Sequence, residues 1–294
     1  MSGHLSLTEK VNAALQQLSR EIEANTLQLP SPPDNIITLR KLIQTDANVD
    51  VIAAHLRKDP HLSARLVKVA NSVLFTGRGH VTDVKSAIVR LGLSKVQNLV
   101  TGFAITQQFL RSKTAGIETQ LRQSWSKSNQ VAGIITVLAR EKTRIDADMA
   151  LLAGQLHNIG ETPLLLRINS MTDLGTNPEM KKAVINMVLA RLSAKVGAAI
   201  LKKWHFPPEI VQLPFAESNT ANTDTETEIN LKNLLLISKE LRHCGFTHPL
   251  SSLPDSIKQQ VIFPLFWVDE DMAINNLNDL APQIHETQVM LSSS

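Results

Sequence analysis

Apolar side chains recur three and four residues apart along most of this chain, which is the spacing of one face of an α-helix. The first such stripe consists of Leu7, Val11, Leu15, Leu18 and Ile22. Alternation of apolar and polar residues is weak, and the Asn-Gly, Asp-Gly and Gly-Gly pairs typical of hairpin turns do not occur. The pattern therefore predicts an all-α protein.

Capping residues, glycines and prolines set the expected helix boundaries. Asp59-Pro60 predicts a helix start, because Asp caps the first turn and Pro suits the first helical position. Gly92 ends another helix, and Ser94 is a candidate cap for the next. Beyond the first stripe, the pattern predicts helices from Asp34, Asn48, Asp59 and Thr82 or Asp83, one capped by Ser94, and others at 118–141, 146–157, 179–191, 193–204, 228–243, 255–262 and 269–287.

Charge is distributed unevenly along the chain. Residues 40–127 contain 14 Lys and Arg against 5 Asp and Glu, a net charge of +9, whereas residues 217–294 contain 4 against 11, a net charge of −7. We expect these segments to attract each other, or the basic one to face anionic partners. Aromatic residues make up 4% of the chain and tyrosine is absent, so stacking on single-stranded nucleic acid is not favoured.

Composition also bears on the location of the protein. The apolar fraction of 43% is enough for a sizeable core. No uninterrupted apolar run approaches the roughly 18–20 residues that span a bilayer, and residues 1–10 lack a signal-peptide pattern. The single cysteine, Cys244, cannot form an internal disulfide and is interpreted as an ordinary thiol. These features predict a cytoplasmic protein without a membrane partner.

Two polar segments interrupt the apolar pattern in ways that suggest specific roles. His157 closes an apolar helix and is followed by Asn158 and, two residues later, by a glycine. Imidazole next to a carboxylate can hold a divalent metal, but an amide oxygen is a poorer ligand, so His157 alone fits a hydrogen-bonded structural histidine. Asn71 and Ser72 end the helix that Asp59 begins, and their side chains can bond backbone groups there.

A third segment, residues 84–97, contains two predicted helices joined at a glycine. With Lys85, Arg90 and Lys95 it has the appearance of a DNA-binding helix-turn-helix. The alternative is a helical hairpin of the core whose basic residues are solvated. We favour the hairpin and do not expect nucleic acid to be a partner.

Together these segments resemble the HDOD family, a bacterial offshoot of the HD-type phosphohydrolases. The matching stretches are 29–33, 59–72, 87–100, 152–160, 196–198 and 204–207, with Asp59, Pro60, Asn71, Ser72 and Gly92 as motif residues. The resemblance covers about residues 25–218 and implies a bundle of many helices arranged as two packed, HD-like subdomains. The resemblance places the HDOD domain at 29–218, and the helical pattern predicts an N-terminal amphipathic helix on the core at 1–28 and a C-terminal helical extension at 225–294.

The sequence departs from the HD-type metal site that this resemblance implies. Lys127 stands near the position of a first histidine, the His-Asp pair reads His157-Asn158, and Ser193 stands near a later histidine. A His-His pair would fall near Glu217-Ser218. An ammonium group repels a cation, and one imidazole is too few where about three protein ligands are needed. These departures predict no catalytic residue, no metal and no cofactor.

The resemblance therefore implies a non-catalytic, bacterial signal-transduction module that binds a protein partner or a small ligand. We expect the former metal cleft around Lys127, His157, Asn158 and Ser193 to be a candidate pocket for a small anion between the subdomains. Two alternatives remain: a metal-dependent phosphohydrolase acting on nucleotides or cyclic dinucleotides, and a nucleic-acid-binding regulator that uses the basic segment. The sequence does not identify the partner or the role of the residues beyond about 225.

Overall fold

The structure is a computed structural model that describes residues 7–72, 75, 79–110, 116–171, 178–216 and 229–292. These residues are mostly helical and contain no strand, which confirms the all-α prediction. The helices are α1 (Leu7–Glu23), α2 (Asp34–Gln44), α3 (Val49–Leu56), α4 (Pro60–Ala70), α5 (Val84–Leu91), α6 (Leu93–Leu110), α7 (Glu118–Lys142), α8 (Ala147–Leu156), α9 (Glu161–Asn169), α10 (Pro178–Lys203), α11 (Pro208–Gln212), α12 (Leu231–Leu241), α13 (Asp255–Lys258), α14 (Phe263–Phe266) and α15 (Glu270–Ser292). Two short 3₁₀ segments, Leu213–Phe215 and Arg242–Cys244, follow α11 and α12.

The described residues form two compact units, each assembled from three separate stretches of chain. Unit 1 draws on residues within 1–31, 109–125 and 156–215, and unit 2 on residues within 32–108, 126–155 and 216–294. Helices α1, α9, α10 and α11 belong to unit 1, whereas α2 to α5, most of α6 and α8, and α12 to α15 belong to unit 2. This division into units does not test the domain boundaries predicted at residues 28, 218 and 225, which stay a prediction.

Unit 1 is held by the packing of α1 against α10, which buries Leu18 completely. The Arg167 guanidinium of α9 donates two hydrogen bonds to the Glu21 carboxylate of α1, at 2.9 and 2.7 Å. The buried indole of Trp204 donates to the backbone oxygen of Pro30 at 2.9 Å. The proline-rich segment after α1 is therefore fixed to the end of α10.

Unit 2 has an apolar core made by α2 to α6 together with Met290 and Leu291 of α15. Arg65 donates through Nη2 to the backbone oxygen of Leu291 at 2.7 Å, and Asn129 donates to the same oxygen at 3.2 Å. The Arg65 guanidinium also lies 4.0 Å from the centre of the Phe103 ring. These contacts make the C-terminal helix an integral part of unit 2.

Several helix boundaries differ from the sequence prediction. Helix α10 is continuous through Leu192, where two helices were predicted, because no proline or helix-ending turn interrupts it. Helix α6 begins at Leu93, so Ser94 lies inside the helix and does not cap it. Helix α9 was not predicted, although its Pro163 lies in the first turn, where a proline costs no helical hydrogen bond.

Among the described residues, α10 is the one helix long and apolar enough to cross a membrane by length and composition. A count of uninterrupted apolar runs missed it because Arg191 and Lys195 lie within the apolar window. Val188, Val196 and Ile200 of this helix are completely buried within the structure. Their burial fits a core helix of unit 1.

Candidate functional site

The turn between α8 and α9 carries His157 and Asn158, both half-buried. The Asn158 side chain donates through Nδ2 to the backbone oxygen of Ser124 at 2.9 Å and to its Oγ at 3.2 Å. An ionised carboxylate has no hydrogen to donate and could not make the bond to the backbone oxygen. The amide at position 158 therefore ties this turn to α7.

The same turn lies very close to α10. A Cβ atom on Gly160 would be 2.0 Å from the backbone oxygen of Ser193 and 2.5 Å from the backbone nitrogen of Gly197. Only a residue without a side chain permits this approach. The crossing places Ser193 beside the turn that carries His157 and Asn158.

The four residues predicted around a former metal cleft are divided between the units. His157, Asn158 and Ser193 lie in unit 1, whereas Lys127 is exposed on the part of α7 that belongs to unit 2. Grooves of about 800, 690 and 540 Å³ within the units are lined by other residues. The anion pocket predicted around the four residues stays a prediction, and Glu217-Ser218 lies outside the described residues.

The side chains at these positions do not fit a catalytic metal. They offer an ammonium group at Lys127, one imidazole at His157, a hydroxyl at Ser193 and, at Asn158, an amide that donates to Ser124. Within the described ranges, no three His, Cys, Asp or Glu side chains are grouped so that they could hold a metal ion. A catalytic zinc or iron site needs about three protein ligands, mostly imidazoles and carboxylates.

The motif residues of unit 2 have structural roles at helix ends. The Asp59 carboxylate accepts from the backbone nitrogens of His61 and Leu62, both at 3.1 Å, and Pro60 occupies the first position of α4. Gly92 ends α5 with a φ of +81°, a conformation that side chains other than glycine rarely adopt. These residues fix where two helices begin and end.

Asn71 and Ser72 bond the last turn of α4, as their position in the sequence suggests. The Asn71 amide donates to the backbone oxygen of Val67 at 3.1 Å, and the Ser72 hydroxyl donates to that of Val69 at 2.8 Å. The same two carbonyls also accept from the backbone nitrogens of Asn71 at 3.2 Å and Ser72 at 3.0 Å, so the side chains add a second bond to each.

Asn71 also forms, with Arg90, a clamp on the chain between α4 and α5. The Asn71 side chain accepts from the Val81 nitrogen at 2.8 Å and donates to the Val81 oxygen at 2.7 Å. Arg90 donates to the backbone oxygens of Ala70 at 3.1 Å and Gly79 at 2.6 Å. We call Asn71 and Arg90 the loop clamp, because they fix both ends of this connection.

The three basic residues of the apparent helix-turn-helix are engaged within the chain. Lys85 lies 2.6 Å from the Asp50 carboxylate, Lys95 lies 3.3 Å from that of Asp148, and Arg90 belongs to the loop clamp. Helices α5 and α6 both contribute apolar side chains to the core of unit 2. This arrangement favours the interpretation as a core hairpin.

Two charged residues with low exposure were not identified from the sequence: Asp148, which is buried, and Arg65, which is half-buried. Burial raises the pKa of the Asp148 carboxyl, and the nearby Lys95 ammonium opposes that rise. Burial lowers the pKa of Arg65 to about 10. The residues next to Asp148 and Arg65 in the sequence do not reveal their burial, because the helices that cover them are far away in the sequence.

A family model for the HDOD domain matches residues 29–219, well over half of the chain. An uncharacterised protein of Treponema pallidum strain Nichols is 20% identical in an alignment of 259 positions that covers 84% of this chain and 49% of that protein. The chain therefore spans about half the length of this curated relative.

Solved structures with the same fold cover nearly the whole chain. A Shewanella amazonensis SB2B protein, provisionally named a metal-dependent phosphohydrolase, has a TM-score of 0.78 at 20% identity, over 96% of this chain and 99% of that one. An HDOD domain protein of unknown function from Geobacter sulfurreducens has a TM-score of 0.60 at 20% identity, over 96% and 98%. At these identities the likeness concerns the fold alone.

Proposed function

The chain belongs to the HDOD domain family, and on that premise we propose that it is a non-catalytic regulatory module of bacterial signal transduction. It acts in the cytoplasm through contacts with other proteins. The observation that carries this proposal is the Asn158 amide, which donates to Ser124 where an HD-type enzyme would need a carboxylate ligand. That position serves the fold of unit 1.

The chemistry of the neighbouring positions supports the same proposal. His157 supplies one imidazole, Ser193 a weak neutral ligand and Lys127 a positive charge. Hydrolysis of a phosphoester by an HD-type enzyme depends on a metal that polarises the ester and activates water. A donor set of this kind gives that metal no adequate site.

The main alternative is a metal-dependent phosphohydrolase that acts on nucleotides or cyclic dinucleotides. Its support is the fold shared with the Shewanella protein that carries a phosphohydrolase name. It requires metal ligands beyond those at Lys127, His157, Asn158 and Ser193. The nucleic-acid alternative has the basic segment in its favour, but Lys85, Arg90 and Lys95 bond within the chain.

Metal content decides between the regulatory and the enzymatic function. Protein purified without chelators and incubated with Mn²⁺, Fe²⁺ or Zn²⁺ should retain clearly substoichiometric metal after gel filtration, measured by elemental analysis. It should not hydrolyse bis(p-nitrophenyl) phosphate faster than the free ions do. A sample stripped with EDTA serves as the control. Stoichiometric metal together with hydrolysis that EDTA abolishes would overturn the proposal.

A further inference from the structure

Helices α1 and α10 of unit 1 form a groove of about 540 Å³ that the proposed function does not use. Leu15 and Leu192, each 8% exposed, supply its apolar surface. The exposed Arg20 and Arg191 and three polar side chains of α1 complete the lining. No acidic side chain belongs to this lining among the described residues. The groove is therefore polar and positively charged beside a small apolar surface.

The two groove arginines form no ion pair with any carboxylate of the described residues. The acids that follow on α1 have other partners, since Glu21 pairs with Arg167 at 2.7 Å and Glu23 faces Lys195 at 3.6 Å. Glu9 lies eleven residues before the arginine of α1, roughly 16 Å along the helix. The acids of α1 therefore leave the charge of the groove in place.

The α10 side of the groove is strongly basic. This helix contains six Lys and Arg against one acidic residue, Glu179. Glu179 lies twelve residues before Arg191, roughly 18 Å along the helix. Arg20 donates through Nε to the backbone oxygen of Gln16 at 3.2 Å, and this acceptor is uncharged. Both guanidinium groups thus keep a charge that an acceptor from outside the chain could neutralise.

The groove is long enough for a segment of extended chain. Its lining on α1 runs from Asn12 to Arg20, roughly 12 Å at the rise of an α-helix. An extended chain covers this length with about four residues. The side-chain amides of Asn12 and Gln16 and the hydroxyl of Ser19 are groups that can bond a peptide backbone. A single inorganic anion would contact only part of this surface.

We infer that this groove binds an acidic segment of a partner protein. Carboxylates of the segment would pair with Arg20 and Arg191, because planar guanidinium groups suit bidentate contact with carboxylates. An apolar side chain of the segment would lie on Leu15 and Leu192. A basic segment would be repelled, and a neutral one would not neutralise the two charges. The inference rests on the proposed function, because it specifies the chemistry of one of its protein contacts.

The test uses a dansyl-capped, amidated pentapeptide of four glutamates around a central leucine, titrated with the full chain at low salt. Its fluorescence anisotropy should rise to saturation, and the affinity should fall as added salt screens the charges. Arg20→Gln and Arg191→Gln should each weaken binding about fivefold, which corresponds to about 1 kcal/mol. Both residues are exposed, so both variants should fold, as circular dichroism can verify. Arg122→Gln, which removes an exposed arginine of unit 1 outside the groove, is the matched control and should bind like the parent.

A second peptide, with glutamine in place of every glutamate, separates charge from general peptide binding. It should bind more weakly, and neither groove variant should change its affinity. Binding of the acidic peptide that neither variant weakens, or that Arg122→Gln weakens as much, would overturn the site. Equal affinity of the two peptides would overturn the preference for an acidic segment. Complete displacement of the acidic peptide by inorganic phosphate, at an ionic strength matched with sodium chloride, would overturn the choice of a protein segment.

Failure of this inference is distinguishable from failure of the proposed function. A protein that binds no acidic peptide, and that also lacks stoichiometric metal and hydrolysis, would overturn the groove and leave the non-catalytic function in place. Stoichiometric metal with hydrolysis would overturn that function, whatever the affinity for the peptide.

Discussion

Asn158 and Ser124 show how one side-chain group decides between a metal ligand and a structural contact. A carboxylate at position 158 would offer oxygens to a metal, but it would face the Ser124 carbonyl oxygen without a hydrogen between them. The amide supplies that hydrogen, at 2.9 Å from nitrogen to oxygen. The amide at position 158 therefore makes a structural hydrogen bond that a carboxylate at this position could not make.

Asn158→Asp, which would restore the His-Asp pair, should lower the free energy of unfolding at pH 7 by about 1–3 kcal/mol, because the backbone oxygen of the buried Ser124 loses the hydrogen bond from the amide. The carbonyl oxygen disfavours the ionised acid and so raises the folded-state pKa of the new carboxyl. Its favourable contribution is then present at low pH and lost as the pH rises through that pKa. Urea denaturation at pH 7 and pH 4 measures this change.

Asn158→Ala is the control for this prediction. It removes the donor without adding a charge, so its loss of stability should be similar at both pH values. An aspartate variant as stable as the parent at pH 7 would show that the amide bond to Ser124 contributes nothing.

At the scale of helices, the Glu21–Arg167 pair joins α1 to α9 within unit 1. The hydrogen bonds from Arg167 hold the pKa of Glu21 below its ordinary value. A carboxyl with a lowered folded-state pKa contributes stability above its unfolded pKa, and that stability is lost as the pH falls through the folded pKa. The Glu21 side chain is 20% exposed and that of Arg167 31%, so solvent screens the pair and its contribution is about 1 kcal/mol or less.

Glu21→Gln should therefore destabilise the protein at pH 7 by about 0.5–1 kcal/mol. The difference from the parent should disappear at a pH below the lowered pKa of Glu21, where the parent carboxyl is protonated too. Chemical denaturation across this pH range provides the measurement. Glu23→Gln is the matched control, because Glu23 is 66% exposed and lies 3.6 Å from Lys195, too loose a pair to contribute measurably. A loss that persists unchanged in acid would rule out the ion pair as its cause.

At the scale of the whole molecule, the C-terminal segment completes a unit that begins in the family domain. Described residues of the acidic segment beyond residue 216 and of most of the basic segment at 40–127 belong to the same unit. The expected attraction between the two segments stays a prediction. Met290 and Leu291 complete its apolar core. Arg65 is partly buried there, and the Leu291 carbonyl and the Phe103 ring compensate its charge.

Arg65→Ala should release the last turn of α15. It removes the hydrogen bond from a charged donor, worth about 1.5–3 kcal/mol, and the packing of the side chain on Phe103. Hydrogen exchange followed by mass spectrometry should show faster exchange at the C-terminal end of α15 and little change in α1 or α10. Arg144→Ala, at an exposed position of unit 2, should leave the exchange of α15 unaltered. Unchanged exchange in the Arg65 variant would mean that the remaining contacts, among them the Asn129 hydrogen bond and the apolar packing, are enough to hold the helix.

The family and the fold class follow from local features of the sequence. The helical period, the Asp59-Pro60 start and the Gly92 stop depend on residues within a few positions of each other, so the pattern predicts them. The bonds of Asn71 and Ser72 to the end of α4 are local in the same sense. The departures from an HD-type metal site at Lys127, Asn158 and Ser193 could also be found in the sequence, because the resemblance indicates which positions would carry the metal ligands.

Only the tertiary structure shows which contacts Asn158 and Arg65 make. Asn158 bonds a residue 34 positions away, and Arg65 bonds one 226 positions away, so no local pattern predicts either contact. Helix α10 was predicted as two helices, although no proline or helix-ending turn interrupts it at Leu192. The groove of unit 1 lies between α1 and α10, and its two arginines are more than 170 residues apart in the sequence. Local chemistry determined where the helices begin and end, and the packing of distant segments determined which side chains could form a site.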